Sequence, residues 1–202
     1  MIKGVIFDLG NVLVDWDPRH LYRKLIEDEQ KREHFLNTVC TLQWHKAHDL
    51  GVPFKDNADA LVARFPEHED LIRAWGDRWL ETIGGRIDGS VALAGRLKAN
   101  GYKLIGLTNC PAEQFDDICD QFGVFDGFDD IVVSGVERLA KPDPAIYELT
   151  IARAGLAGHE LAFLDDMPHN IAAAEAFGIH GVLFENPEQA TAMLDSKGVA
   201  TA

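Results

Sequence analysis

From Ser90 onward the chain alternates between short apolar runs and segments with helical periodicity, which confines it to a narrow set of folds. The runs are Lys103–Thr108, Asp130–Ser134, Glu160–Asp165 and Gly181–Phe184. The segments between and around them read as helices over Ser90–Asn100, Ala112–Phe122, Asp143–Ala154, Pro168–Phe177 and Pro187–Leu194. Gly101 and Gly178 stop two of them, as glycine does past a helix end. Strands joined through helices pair in parallel, and a parallel sheet needs helices on both faces. A further apolar run, Gly4–Phe7, opens the chain and supplies another buried strand. The expected class is therefore α/β, with a doubly wound parallel sheet.

The stretch between the first strand and this alternation has a different texture. Asp17 before Pro18 reads as an N-cap followed by proline at the first helical position. Helical patterns follow at Arg19–Glu27, Lys31–Val39, Phe54–Phe65 and Glu69–Ile83. No strand pattern is evident between Asp15 and Ile87, and Gly84-Gly85 breaks the last helix. Residues 16–85 are thus expected to form a small all-α domain set into a core of residues 1–15 and 86–202. The tail from Ser196 to Ala202 is expected to fray.

Composition narrows the function classes. The net charge of −14 disfavours broad binding to nucleic acid or anionic membranes. No apolar run reaches the roughly 18 residues that a membrane span requires. The N-terminus enters the first strand without the basic and apolar regions of a signal peptide. Cys40, Cys110 and Cys119 are too scattered for a disulfide or metal pattern. These features point to a cytoplasmic protein, monomer or homodimer, without nucleic-acid or membrane partners.

The chemistry-bearing residues stand at strand ends. Asp8 follows Gly4–Phe7, Thr108-Asn109 closes the next strand of the alternation, and Asp165-Asp166 closes another. Lys141-Pro142 lies between them. In a parallel sheet these ends share one edge, where open α/β folds bind ligands. Asp8 alone reads equally as a ligand-binding acid or as a cap on the following turn. With the others it gains a purpose. Carboxylates of this kind suit Mg²⁺, and a carboxylate is also a nucleophile that can form an aspartyl-phosphate. Thr108, beside a helix N-terminus, suits phosphate oxygens. Lys141 would offset the acids and steady a transferring phosphoryl group.

Phe7-Asp8, Leu107-Thr108-Asn109, Lys141-Pro142 and Phe163-Leu164-Asp165-Asp166 with Asn170 resemble, in order, the four motifs of the haloacid dehalogenase-like (HAD) hydrolase superfamily. The resemblance extends over the whole chain. The insertion resembles the helical type 1 cap of subfamily I, and Asp-Leu-Gly-Asn resembles a bacterial branch that includes sugar-phosphate phosphatases. The resemblance implies a Rossmann-like core and a Mg²⁺-dependent phosphatase for a small phosphorylated metabolite. It implies Asp8 as nucleophile and metal ligand, with Gly10 giving the metal its backbone carbonyl. Thr108 and Asn109 would bind phosphate, and Lys141 would hold nucleophile and phosphate together. Asp166 is the first choice for the remaining metal ligand, with Asn170 at the family spacing after it. Asp165 is the alternate ligand or a supporting group.

One position departs from the pattern. Family phosphatases usually carry an acid–base aspartate two residues after the nucleophile, and here that residue is Gly10. General acid–base help of this kind is typically worth about 10²–10⁴-fold. A metal-independent 2-haloacid dehalogenase is therefore one alternative, and a phosphate-binding protein with little turnover is another. The Asp165-Asp166 pair favours retained Mg²⁺, because those dehalogenases lack it. His45 or His48 of the insertion could supply the missing proton, although packing is the plainer role for both and for Trp44, Trp75 and Trp79. Asn11 is placed either to touch substrate or to hold a turn. Cys110 reads as a buried inert thiol, and Trp16 as a hinge or entrance residue.

Overall fold

The structure, a computed structural model, describes residues 1–202. In chain order the elements are β1 (Gly4–Phe7), β2 (Val14–Trp16), α1 (Arg19–Leu25), α2 (Glu29–Thr38), α3 (Leu42–Asp49), α4 (Phe54–Val62) and α5 (Glu69–Asp77). There follow β3 (Ile83–Arg86), α6 (Asp88–Ala99), β4 (Lys103–Thr108), α7 (Phe115–Phe122), β5 (Asp130–Val133), α8 (Ser134–Glu137) and α9 (Pro144–Ala154). The chain ends with β6 (Leu161–Asp165), α10 (Pro168–Glu175), β7 (His180–Leu183) and α11 (Pro187–Ser196). No helix is long and apolar enough to cross a membrane.

Five strands form the expected parallel sheet, in the order β5-β4-β1-β6-β7. Every residue of β1 is buried because the strand is central and both sheet faces are covered. Ile6, Ile105, Leu107 and Phe163 pack on one face against Ile146 and Tyr147 of α9 and Ala174 of α10. Val5, Phe7 and Leu164 join a larger cluster that runs on through Leu93 of α6 to Tyr22 and Trp75 among α1–α5. Gly106 sits mid-strand in β4 because a Cβ there would come within 2.7 Å of the Phe125 ring.

The register sets the functional edge. Phe7 pairs with Gly106 on one side and Leu164 on the other. The next residue of each strand therefore reaches the same level, which brings Asp8 alongside Leu107-Thr108 and Asp165. The sheet grows outward in both directions from β1, so Asp8 stands at the switch point where α/β folds open a ligand crevice.

Three expectations need correction. First, two strands lie where none was read. β2 and β3 form an antiparallel ribbon at the two crossings into and out of α1–α5. Gly84, read as a breaker, is a strand residue, and any side chain there would collide with the Asp15 carboxylate and the His20 ring. Second, α3 was not anticipated, although Thr41 caps it by accepting a hydrogen bond from Trp44 N at 3.0 Å. Ahead of α1, Pro18 holds the cap position and Asp17 Oδ1, one residue earlier, accepts from Arg19 N at 2.8 Å. Third, the tail is docked rather than frayed. Val199 and Thr201 are buried, Tyr102 Oη accepts from Ala200 N, and Arg96 Nε donates to Thr201 O. Deleting residues 199–202 is expected to lower unfolding stability by about 2 kcal/mol, the scale of exposing one buried valine, read as a shifted urea midpoint.

Candidate active site

Asp8, Asp165 and Asp166 bring one carboxylate oxygen each to within 4.8 Å of the others. Lys141 is the cation among them. Its Nζ lies 2.8 Å from Asp8 Oδ1 and 2.7 Å from Asp165 Oδ2, and it donates to Leu107 O at 3.1 Å. Asp8, Lys141 and Asp165 are 7%, 5% and 0% exposed. Two buried acids therefore share one ammonium, and the half-buried Asp166 adds a third carboxylate beside them, which leaves excess negative charge that burial makes costly. Burial pushes the Asp8 carboxyl above the usual carboxylate range; Lys141 pulls it back, and Asp165 adds to the rise. Burial also lifts Asp166, against the hydrogen bond from Asn11. Burial on its own would lower Lys141, but Asp8 and Asp165 hold it above its ordinary value.

The two acids at the end of β6 are held differently. Asp165 Oδ1 accepts from Met167 N at 2.8 Å and from Asn170 Nδ2 at 3.0 Å. Its Oδ2 accepts from Lys141 and, at 3.1 Å, from Asn170 Nδ2. Both oxygens are thus committed. Asp166 Oδ2 accepts only from Asn11 Nδ2, at 3.2 Å, so Asp166 is the acid with a free oxygen. Asp8 likewise keeps one oxygen free. Its Oδ1 accepts from Leu9 N at 2.7 Å and meets Lys141, and no donor reaches Oδ2.

The Asn109 side chain is used within the chain: Oδ1 accepts from Lys141 N at 2.8 Å and Nδ2 donates to Lys141 O at 3.0 Å. This two-point clamp fixes the backbone of the residue whose ammonium joins the acids. What Asn109 leaves for a ligand is its backbone N–H, which, like that of Gly10, has no acceptor within the chain. Thr108 is buried at the end of β4 and makes no side-chain hydrogen bond. Asn11, held at a positive φ of 56°, joins Asp166 to the start of the ribbon, its Oδ1 accepting from Trp16 N at 3.1 Å.

The histidines of the insertion do not reach the acids. His45 stacks on Trp16 and Trp79, accepts from Trp75 Nε1 at 3.3 Å and lies 3.4 Å from Asp49. His48 meets Val52 O at 3.1 Å and Asn57 Nδ2 at 3.1 Å. Burial pushes its pKa down to about 4, so it stays neutral at physiological pH. Trp75 and Trp79 pack in the core cluster. Cys110 is buried, and burial raises its thiol well above the ordinary range, as expected of an inert group. The Asn109 clamp was not anticipated, whereas Asn11 and Trp16 meet at the joint, in keeping with the turn and hinge alternatives read for them.

Gly10 has no steric reason to be glycine. An added Cβ would meet only Trp16 Cβ, at 3.9 Å, and its φ is not positive.

Comparison with known proteins gives this geometry a context. A sesquiterpene phosphatase from Aspergillus oryzae is 27% identical over 192 residues, covering 89% of this chain and 88% of its own. A phosphorylated carbohydrates phosphatase from Thermotoga maritima is 24% identical, covering 98% and 93%. Among solved structures, a HAD family enzyme from Bacteroides thetaiotaomicron in complex with magnesium and inorganic phosphate superposes with a TM-score of 0.67 at 22% identity, over 92% of this chain and 96% of its own. The L-2-haloacid dehalogenase from Xanthobacter autotrophicus, with chloropropionic acid covalently bound, superposes with a TM-score of 0.65 at 18% identity, over 99% and 85%. These two show a shared fold. The family model for haloacid dehalogenase-like hydrolases matches residues 2–178. That span holds Asp8, Thr108 and Asp165-Asp166 at strand ends and Lys141 in the loop before α9, and the chain belongs to the haloacid dehalogenase-like hydrolases.

Proposed function

We propose that this hydrolase is a Mg²⁺-dependent phosphatase acting on a small phosphorylated metabolite through an aspartyl-phosphate on Asp8. The observation that carries this reading is the cluster of three carboxylates facing one lysine. An all-oxygen donor set with uncompensated negative charge fits a hard divalent cation. Asp8, Asp166 and the Gly10 carbonyl would hold the ion, and Asp165, with both oxygens committed, would support from behind. When bound, the ion supplies positive charge against the phosphate oxygens and the acids. The metal-independent dehalogenase reading leaves Asp166 without a task. Relatives named as sesquiterpene and carbohydrate phosphatases agree with phosphoester chemistry on an alcohol.

Each residue's part follows from its contacts. Lys141 fixes Asp8 Oδ1, which leaves Oδ2 to attack phosphorus. The ester P–O bond breaks, and its electron pair leaves with the alcohol oxygen, which takes a proton. Water then attacks the phosphorus of the aspartyl-phosphate and loses a proton. Inorganic phosphate departs and the Asp8 carboxylate is restored. The Thr108 hydroxyl and the unpaired N–H groups of Gly10 and Asn109 receive phosphate oxygens. Gly10 supplies no carboxyl for the leaving oxygen, and His45 and His48 are engaged elsewhere, so water delivers that proton. Residues 16–85 act as a cap over the core of 1–15 and 86–202, with the β2–β3 ribbon at the joint.

The test is phosphate release from p-nitrophenyl phosphate. Turnover with Mg²⁺, abolished by EDTA and by Asp8→Asn, is the expected result. Halide release from 2-chloropropionate that survives EDTA, without phosphate release from any ester, would overturn the reading.

A further inference from the structure

Asn11 belongs to two places at once. Its amide bonds Asp166, and it also lines an open cavity of about 360 Å³ at the start of the ribbon and the ends of α1 and α2. That volume lies in the range of small-molecule pockets. One wall is apolar, formed by Trp16, Leu36 and Leu42; Leu42 is 56% exposed, a large apolar side chain left at the rim.

The charges along this cavity are unusual for a site beside a phosphate. The charged residues lining it are Asp15, Asp17 and Arg19. Arg19 is already engaged. Its Nε and Nη2 donate to the two oxygens of Glu33 at 2.8 and 2.6 Å, and its Nη1 donates to Asp17 at 3.3 Å. Glu33 also lies 3.9 Å from Arg32 Nε, and these pairings leave none of the Arg19 fork free. Asp15 lies 3.0 Å from His20 Nε2. Among the residues that line the cavity, a second anionic group would find two carboxylates, one engaged guanidinium and no free cation, with Coulomb repulsion added to lost hydration.

We propose that this cavity receives the leaving group and selects phosphomonoesters of small uncharged alcohols. Substrates carrying a second phosphate or a carboxylate are rejected. The proposal rests on the phosphatase reading above and adds the class of alcohol. Arg19 and Glu33 act as a specificity device: the pairing withholds a cation that would otherwise bind an anion. Discrimination by leaving a charge unpaired is a common form of selection against a competitor.

The full-length protein with Mg²⁺ is assayed on p-nitrophenyl phosphate, hexyl phosphate, glucose 6-phosphate, phosphoglycolate and glucose 1,6-bisphosphate. Expected is a kcat/KM at least about tenfold higher for the uncharged alcohols than for the two substrates with a second anion. Glu33→Gln, which lies outside the cavity lining, frees the Arg19 fork and narrows that ratio by raising turnover of phosphoglycolate. Equal kcat/KM for both groups in the unaltered protein overturns the proposal while leaving the phosphatase reading intact. An unchanged ratio in a folded Glu33→Gln protein overturns the role given to the Arg19–Glu33 pair. No turnover of p-nitrophenyl phosphate overturns the phosphatase reading and the proposal with it.

Discussion

If the protein is the phosphatase proposed above, Gly10→Asp is expected to raise turnover of alkyl and sugar phosphates by about 10²- to 10⁴-fold, the range that a positioned general acid supplies. The substitution fits the backbone. An added Cβ meets only Trp16 Cβ at 3.9 Å, an ordinary contact, and no left-handed φ is involved. The site also suits the new group electrostatically. A carboxyl placed beside Asp8 and Asp166 is pushed up by like charge, so it keeps its proton nearer neutral pH and can give it away. The gain depends on the leaving group. An alkoxide is a poor leaving group and needs the proton; p-nitrophenolate hardly does. Parallel assays should therefore show a large rise for hexyl phosphate and a small one for p-nitrophenyl phosphate. An equal change for both would mean that the aspartate acts through the metal site or the packing, and not as an acid.

The reading of sequence succeeded where a signal is local. β4 was expected over Lys103–Thr108 and is found there, because a strand covered on both faces needs an unbroken apolar run. Asp8 and Asp165 stand level on one edge because β1 and β6 pair in parallel, as the strand–helix alternation implied, with Phe7 opposite Leu164. What stayed hidden depends on distant partners. The β2–β3 ribbon joins residues from opposite ends of the insertion, each strand too short to show alternation. The C-terminal tail looked free because its partners, Arg96, Asn100 and Tyr102, lie on another element. Asn109 was read as a phosphate ligand from the family resemblance, which says nothing of its side chain; that amide closes on Lys141, which is 32 residues away. The α3 helix is a different case. Thr41 was a visible cap signal three residues before Trp44, and the charged, weakly amphipathic stretch that follows obscured it.

Lys141→Met should lower stability by about 3–5 kcal/mol, the usual cost of removing one partner from a buried ion pair. The lysine is almost wholly buried and is the cation shared by Asp8 and Asp165. Without it two buried carboxylates face each other, and Leu107 O loses its donor. Urea unfolding in EDTA reads the loss directly. A second change separates charge from packing. Adding Asp165→Asn removes one of the two carboxylates, and Asn170 can turn its unpartnered Oδ1 to meet the new amide. The double variant is therefore expected to recover part of the stability. It recovers no activity, because nothing then holds Asp8 Oδ1 or steadies the phosphoryl group. Mg²⁺ provides the last comparison. A cation bound to Asp8 and Asp166 in the folded state stabilises by mass action, and it also offsets the negative charge that the lysine leaves behind. The unfolding midpoint of Lys141→Met should rise with Mg²⁺ more than that of the unaltered protein. If Mg²⁺ moves neither midpoint, the three acids do not form a cation site, and the excess charge around Asp8 must be balanced by the substrate alone.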